Sequence, residues 1–286
     1  TVVVTNVNEA PEIANLDGDV ITVTAGGPRA LLDIGADALV SDVDSVNFDG
    51  GNLTATVVSS EISDDRLSII PTGIGPGQIS TSGTTVFYEG DAIGSFGTSI
   101  VASADSTFML EVDFNANADA EAVSALVKAI AYQNSNDSAG PETRTVEFVL
   151  EDGDGSTSTV STVAINIAAN VAPDSISGSE VFTEDTAVTI RLSGSDTDGT
   201  VSQIRIVNLP TDGTLYTDAT RTTEVVAGST YITSSERLTL FFVPDADFNG
   251  DTSFEFVAID NQGLEDATPA VQLLEGTAVN DAPVLN

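Results

Sequence analysis

The sequence contains no histidine, no cysteine and no tryptophan, and only one methionine and one lysine, Lys128. These absences exclude much chemistry. Cys–His, Ser–His–Asp and zinc-thiolate sites each lose a central residue. A single lysine leaves little room for Schiff-base catalysis. No disulfide can brace the fold, a composition that suits export without oxidative help. Basic residues are scarce as well: eight Lys plus Arg stand against 44 Asp plus Glu, a net charge of −36. So acidic a chain has no clustered cations to displace counterions from phosphates, which excludes nucleic acid as a primary partner. Anionic bilayers repel it, and no apolar run approaches the ~18 residues of a membrane span, so membrane insertion is excluded. A hydrophobic content of 41% nevertheless separates it from disordered acidic chains, which are poor in apolar residues. The chain is folded, and at 286 residues its length fits about two domains.

A recurring pentapeptide sets the boundaries. Val7-Asn8-Glu9-Ala10-Pro11, Ala169-Asn170-Val171-Ala172-Pro173 and Val279-Asn280-Asp281-Ala282-Pro283 are versions of one linker. Each follows an alternating apolar stretch that reads as a last strand, and its proline fixes the backbone where the next domain opens. The expected organisation is the last strand of a preceding domain over 1–8, a domain over 9–169, a second over 170–280, and the start of another over 281–286. The opening within the Val-rich Val2–Val4 stretch, with no signal peptide, reads as a piece of something longer.

Both domains read as mainly β. Period-two alternation runs through Leu53/Ala55/Val57, Val146/Phe148/Leu150, Ile190/Leu192, Ile204/Ile206 and Phe254/Phe256/Ala258. Clusters of Gly, Asp and Asn separate these runs at short intervals, as in sandwiches. One segment breaks the pattern. Between Asp119 and Tyr132, Val123, Leu126, Val127 and Ile130 fall at helical spacing in an Ala-rich context, which predicts one helix over about 119–132, packed on the first sandwich. The fold class expected is all-β: tandem antiparallel β-sandwiches, the first enlarged and carrying this helix.

The acids are placed informatively. The first domain has Asp42-Val43-Asp44, then Asp49-Gly50-Gly51, and Glu151-Asp152-Gly153-Asp154-Gly155 before its last strand. The second has Glu184-Asp185, Asp196-Thr197-Asp198-Gly199, Asp245-Ala246-Asp247 and Asp260-Asn261-Gln262-Gly263. Asp, Asn and Gly are also ordinary turn residues. Four such loops in a chain of this charge go further: Asp-x-Asp aims two carboxylates at one centre, and oxygen-only ligands in flexible six- to eight-fold sets are what calcium demands. Softer transition metals lack their preferred ligands. The candidate ligands are Glu9, Asp42, Asp44, Asp152, Asp154, Glu184, Asp196, Asp198, Asp245, Asp247, Asp260, Asn280 and Asp281, with Ca2+ as the cofactor. No catalytic residue is assigned. Gly73-Ile74-Gly75-Pro76-Gly77 lacks a following lysine and is a turn rather than a phosphate cradle.

Asp-x-Asp, Val257-Ala258-Ile259-Asp260-Asn261-Gln262-Gly263 and the Asn280-Asp281-Ala282-Pro283 linker together resemble the cadherin repeat. The likeness is greatest to the cadherin-like and immunoglobulin-like tandem repeats of very large bacterial repeats-in-toxin adhesins. The second domain matches throughout, including Leu209-Pro210 before Gly213-Thr214-Leu215-Tyr216. The first resembles a longer relative through Tyr88-Glu89-Gly90, the helix, Ala131-Tyr132-Gln133-Asn134 and Arg144-Thr145-Val146. The resemblance implies an extracellular, bacterial cell-surface segment serving adhesion and biofilm formation. Its partners would be neighbouring repeats of the same chain, with the fragment itself monomeric. It also implies calcium at domain junctions: Glu9 with Asp42 and Asp44 at the first, Asp260 with Asp281 at the last. The middle junction departs from the pattern, with Val171 where an acid is expected, leaving Asp152, Asp154, Glu184, Asp196 and Asp198.

Three roles follow as expectations. One is a rigid extender with no ligand of its own. Another makes the enlarged first domain a binder of an extracellular peptide or glycan through loops within 59–106. The third, a calcium-dependent hydrolase, is the remotest, because sugar-cleaving carboxylate pairs usually work beside aromatic platforms and this chain has no Trp and four Tyr.

Overall fold

The computed structural model describes residues 7–58, 63–97 and 107–280. Val2–Val4, Asp281 and parts of the 59–106 loops lie outside the described residues. The chain divides into two compact units after Ala169.

In unit 1 the alternating runs form one eight-stranded sheet. Asn52–Val58 lies at its centre, flanked by Glu142–Leu150 and Thr107–Phe114. Leu53, Ala55 and Val57 point inward from the central strand, and Val146, Phe148 and Leu150 from its neighbour; all are buried, as period-two alternation requires. Beyond Glu142–Leu150 come Ser161–Ala168 and then Asp19–Thr24, which pairs parallel to it. Beyond Thr107–Phe114 the sheet extends through Asp91–Phe96, Thr85–Tyr88 and Ile79–Ser82. A second layer closes the core: the pair Glu12–Ala14 and Leu39–Ser41, the three-stranded sheet of Ala30–Leu31, Ile130–Asn134 and Asp65–Ile69, and the helix.

The helix spans Ala120–Ala129, shorter than the 119–132 that periodicity predicts. Asp119 caps its start by accepting from the Ala122 amide, and Glu121 and Lys128 complement the helix dipole at opposite ends. It stops because Ile130 turns extended, at φ −77° and ψ 132°. Ile130–Asn134 then pairs with Asp65–Ile69, burying the β-formers Ile130 and Tyr132 in a sheet. The Ser124 hydroxyl accepts from the Val40 amide at 2.8 Å and donates to Ala120 O, which ties the helix to Leu39–Ser41.

Unit 2 is a simpler sandwich. Asp174–Ile176, Val188–Ser195, Arg237–Pro244 and Gly213–Tyr216 form one sheet. Gly178–Thr183, Ala270–Thr277, Thr252–Asp260, Val201–Ile206 and Thr230–Ile232 form the other. Phe182 fills the core between them, edge-on to Phe242 at 5.3 Å and stacked on Phe248 at 6.0 Å. Apart from one parallel pair in each unit, formed by an early strand and the last one, the sheets are antiparallel.

Unit 1 also buries a charge. Asp65, fully enclosed, accepts from Tyr132 Oη at 2.5 Å, Asn134 Nδ2 at 2.9 Å and Arg144 Nε at 2.8 Å. Burial, then the bond to Asp65, pushes the Tyr132 hydroxyl far above its ordinary value, so it remains a donor. Removing one partner strands the other as a buried charge, at a typical cost of about 3–5 kcal/mol. Arg144→Met should therefore destabilise unit 1 by that amount, seen as lost hydrogen-exchange protection in Glu142–Leu150, and Asp65→Leu in the same chain should restore most of it. A single variant as stable as the parent would overturn this account.

Candidate metal centre

Sandwich topology decides where the acidic loops meet. In each unit the last strand runs from the end where the chain comes in to the end where it leaves. The turn before that strand therefore lies beside the incoming linker. That turn is Asp152–Ser156 in unit 1 and Asp260–Leu264 in unit 2. Asn8 and Asn170, on the incoming linkers, reach these turns. Asn8 Nδ2 donates to Asp152 Oδ2 and Ser156 Oγ, both at 2.9 Å. Asn170 Nδ2 donates to Asp260 Oδ2 at 2.7 Å.

The residue after each asparagine engages the Asp-x-Asp loop through its backbone. The Glu9 amide donates to Asp44 Oδ1 and the Val171 amide to Asp198 Oδ2, each at 3.2 Å. Within the loops, Asp42 Oδ1 accepts from the Asp44 amide at 3.0 Å, and Asp196 Oδ1 from the Asp198 amide at 3.2 Å. The buried aspartates are anchored alike. Asp152 Oδ1 accepts from the amides of Asp154, Gly155 and Ser156 at 2.8–3.0 Å, and Asp260 Oδ1 from those of Gln262 and Leu264 at 2.8 and 2.9 Å. One constellation is thus built twice.

Each copy leaves oxygens unused. Asn8 Oδ1, Asp42 Oδ2 and Ser45 Oγ in unit 1, and Asn170 Oδ1, Asp196 Oδ2 and Asp198 Oδ1 in unit 2, are sealed from solvent with no hydrogen-bond partner. Sealed polar atoms without partners are rare in native folds and call for an explanation such as an ion or water. Among the described residues, every such side-chain atom belongs to one of these two places. At the second, a methyl group on Gly199 would stand 2.6 Å from Asn261 Oδ1, 2.7 Å from Asp196 Oδ2 and 3.0 Å from Gln262 Oε1, so glycine is what lets these oxygens converge. The carboxylates alone do not close around a point: among the described residues no group of three or more acidic side chains is drawn together as metal ligands. The donor sets are mixed carboxylate, amide and hydroxyl oxygens, which fits calcium.

This arrangement regroups several expected ligands. Asp152 belongs with Asn8, Asp42 and Asp44 at the entrance of unit 1, and Asp260 with Asn170, Asp196 and Asp198 at the entrance of unit 2, because both precede a last strand. Asp154 stays in the exposed turn beside Asp152 and lends its amide. Glu184 lies at the opposite end of unit 2 from Asp196 and Asp198. It is buried, accepts from Asn249 Nδ2 at 2.8 Å and from the Val279 amide, and so anchors the exit of the chain. Asp245 and Asp247 are exposed in the neighbouring loop, where the Asp247 amide donates to Asp185 Oδ1. Asn280 is exposed beyond the exit strand, and Asp281 lies outside the described residues. Asn8, Asn170 and Ser45, which carry sealed oxygens in these constellations, were not among the expected residues; the asparagine recurring in every linker pentapeptide was the available signal.

No protein-family pattern and no curated protein sequence matches the chain. Among solved structures it is similar to fibronectin(III)-like modules of Clostridium thermocellum CbhA, at 10% identity over 96% of this chain and 100% of that one, with a TM-score of 0.26. Others are Drosophila N-cadherin EC1-3, at 12% over 95% and 69% with a TM-score of 0.25, and zebrafish RET cadherin-like domains 1 to 4, at 10% over 94% and 51% with a TM-score of 0.40. The likeness is one of fold.

The two copies differ electrostatically. Burial pushes the Asp152 carboxyl up, but the Ser156 amide, the Asn8 side chain and the amides of Asp154 and Gly155 outweigh it and hold it below the ordinary range. Burial also pushes Asp196 up, and the Asp198 amide does not offset it once the Asp198 side chain and the charges of Asp198 and Asp260 add to it. A lowered folded value stabilises above the ordinary value near 3.8 and is lost as pH falls through it; a raised one penalises the fold once pH exceeds it. In chelator at pH 7, Asp152→Asn should therefore lower the melting temperature and Asp196→Asn raise it. The Asp196 difference should shrink as pH falls toward 3.8, the Asp152 difference only as pH falls below 3.8, and shifts of the same sign in the two variants would refute this assignment.

Proposed function

We propose that this chain is a non-enzymatic, calcium-binding segment of a large bacterial surface adhesin of the repeats-in-toxin kind. Outside the cell it extends the molecule between neighbouring repeats and serves adhesion and biofilm formation. The carrying observation is the twin set of sealed, unpartnered oxygens where the chain enters each unit. Asn8, Asp42, Asp44, Ser45 and Asp152 would hold one ion; Asn170, Asp196, Asp198 and Asp260 would hold the other. Bound calcium supplies the positive charge that turns repulsion among these carboxylates into cross-linking. The residues themselves tether each linker asparagine to the sandwich it enters.

A ligand-presenting role for unit 1 draws on a second observation. The helix and the hairpin of Thr85–Tyr88 and Asp91–Phe96 frame a groove of about 470 Å³ lined by Tyr88, Glu89, Asp91, Asn117, Asp119 and Glu121 among others. A phenol beside carboxylates and amides offers stacking and hydrogen-bond acceptors to an extracellular peptide or glycan.

Calcium that binds only the folded chain stabilises it by about 2.7 kcal/mol per site at 100 times Kd. Melting should rise by several degrees between EGTA and millimolar calcium, and Asp42→Asn with Asp196→Asn should remove most of the gain. An unchanged melting curve in the parent would sink the metal reading. On peptide and glycan arrays the parent should give hits that EGTA and Tyr88→Ala both weaken; an absence of hits in calcium would leave the pure spacer.

A further inference from the structure

The two entrance sites share a plan but not a charge. Equivalent positions follow from matching hydrogen bonds: Asn8 with Asn170, Glu9 with Val171, Asp44 with Asp198, and Asp152 with Asp260. The same register sets Ser45 against Gly199 and Asp154 against Gln262. Unit 1 thus carries five acids in its entrance loops, Glu9, Asp42, Asp44, Asp152 and Asp154; unit 2 carries three, Asp196, Asp198 and Asp260. Unit 1 also has a hydroxyl, Ser45 Oγ, among its sealed oxygens, where unit 2 has only the Cα of glycine.

We infer that the chain loads calcium in two steps, the entrance site of unit 1 filling at lower concentration than that of unit 2. This rests on the calcium reading above. Calcium affinity in oxygen sites is tuned over several orders of magnitude by the number of charged ligands and by rigidity. Both sites share three tethers: an asparagine amide on a buried aspartate, an Asp-x-Asp turn closed on its own amide, and a linker amide on the second aspartate. Unit 1 adds bonds from Asn8 Nδ2 to Ser156 Oγ and from the Ser45 amide to Asp42 Oδ1, so tethering and charge favour the same site. Two extra carboxylates, on residues whose own amides bond Asp44 and Asp152, deepen the potential at unit 1. At intermediate calcium, unit 1 is braced and unit 2 still bears its repulsion, so falling calcium loosens unit 2 first.

The test is a calcium titration of the whole 15N-labelled chain in chelator-treated buffer, read residue by residue. The amides of Gly155 and Ser156 report on unit 1, and those of Gln262 and Leu264 on unit 2, because each donates to the buried aspartate of its site. The expected midpoint for unit 1 lies at least about ten-fold below that for unit 2. Val171→Glu, at a half-exposed position, should lower the unit 2 midpoint and leave unit 1 unchanged; Gln262→Asp should do the same. Coincident or reversed midpoints would overturn the order while leaving the calcium reading intact, as would a unit 2 midpoint unmoved by Val171→Glu. Amides at neither site responding to calcium would overturn the calcium reading, and the order with it.

Discussion

One hydrogen bond organises the entrance of each unit: the side-chain amide of a linker asparagine donating to a buried aspartate that precedes the last strand. Asn8 on Asp152 and Asn170 on Asp260 make the linker part of the sandwich it enters. The bond commits the amide nitrogen to the protein and leaves the amide oxygen sealed and unused. It also brings the next backbone amide onto the second aspartate of that loop. Without it the carboxylates would be three separate turn acids, each free to face water.

The chain resolves buried negative charge in two ways. Asp65 is surrounded by protein donors, a phenol, an amide and a guanidinium, and its network is complete. Asp42 and Asp196 each spend one oxygen on backbone amides and keep the other sealed and bare. With eight basic residues against 44 acids, protein cations are too few to neutralise every such site. An external cation is the remaining source of positive charge, and hard oxygen ligands suit calcium. In the proposed function, the acidity expected to repel nucleic acid and anionic bilayers would, at these entrances, hold an ion.

Unit 1 spends its extra length on a second layer. The helix, the strands of Asp65–Ile69 and Ile130–Asn134, and the extended hairpin enlarge the core and frame the groove beside Tyr88. Unit 2, without them, closes with two sheets and an aromatic cluster around Phe182. The two units thus differ in layering while sharing the plan of their entrances.

Much of this was legible in the sequence. Alternation at Leu53/Ala55/Val57 or Phe254/Phe256/Ala258 defines strands because side chains in a strand alternate faces whatever the topology. The helix was visible in its spacing but not its end: Ile130 continues the helical period, and only a waiting partner, Asp65–Ile69, draws it and Tyr132 into a sheet. Residue type set the chemistry, since a chain without His or Cys can offer a metal only oxygen. Which acids act together was a tertiary decision. The resemblance paired Asp260 with the linker that follows it and left Asp152 apart from Asp42, whereas the last strand's direction places both turns at the entrance end. The entrance constellations join residues 144 positions apart in unit 1 and 90 in unit 2, and no local pattern records that the chain doubles back.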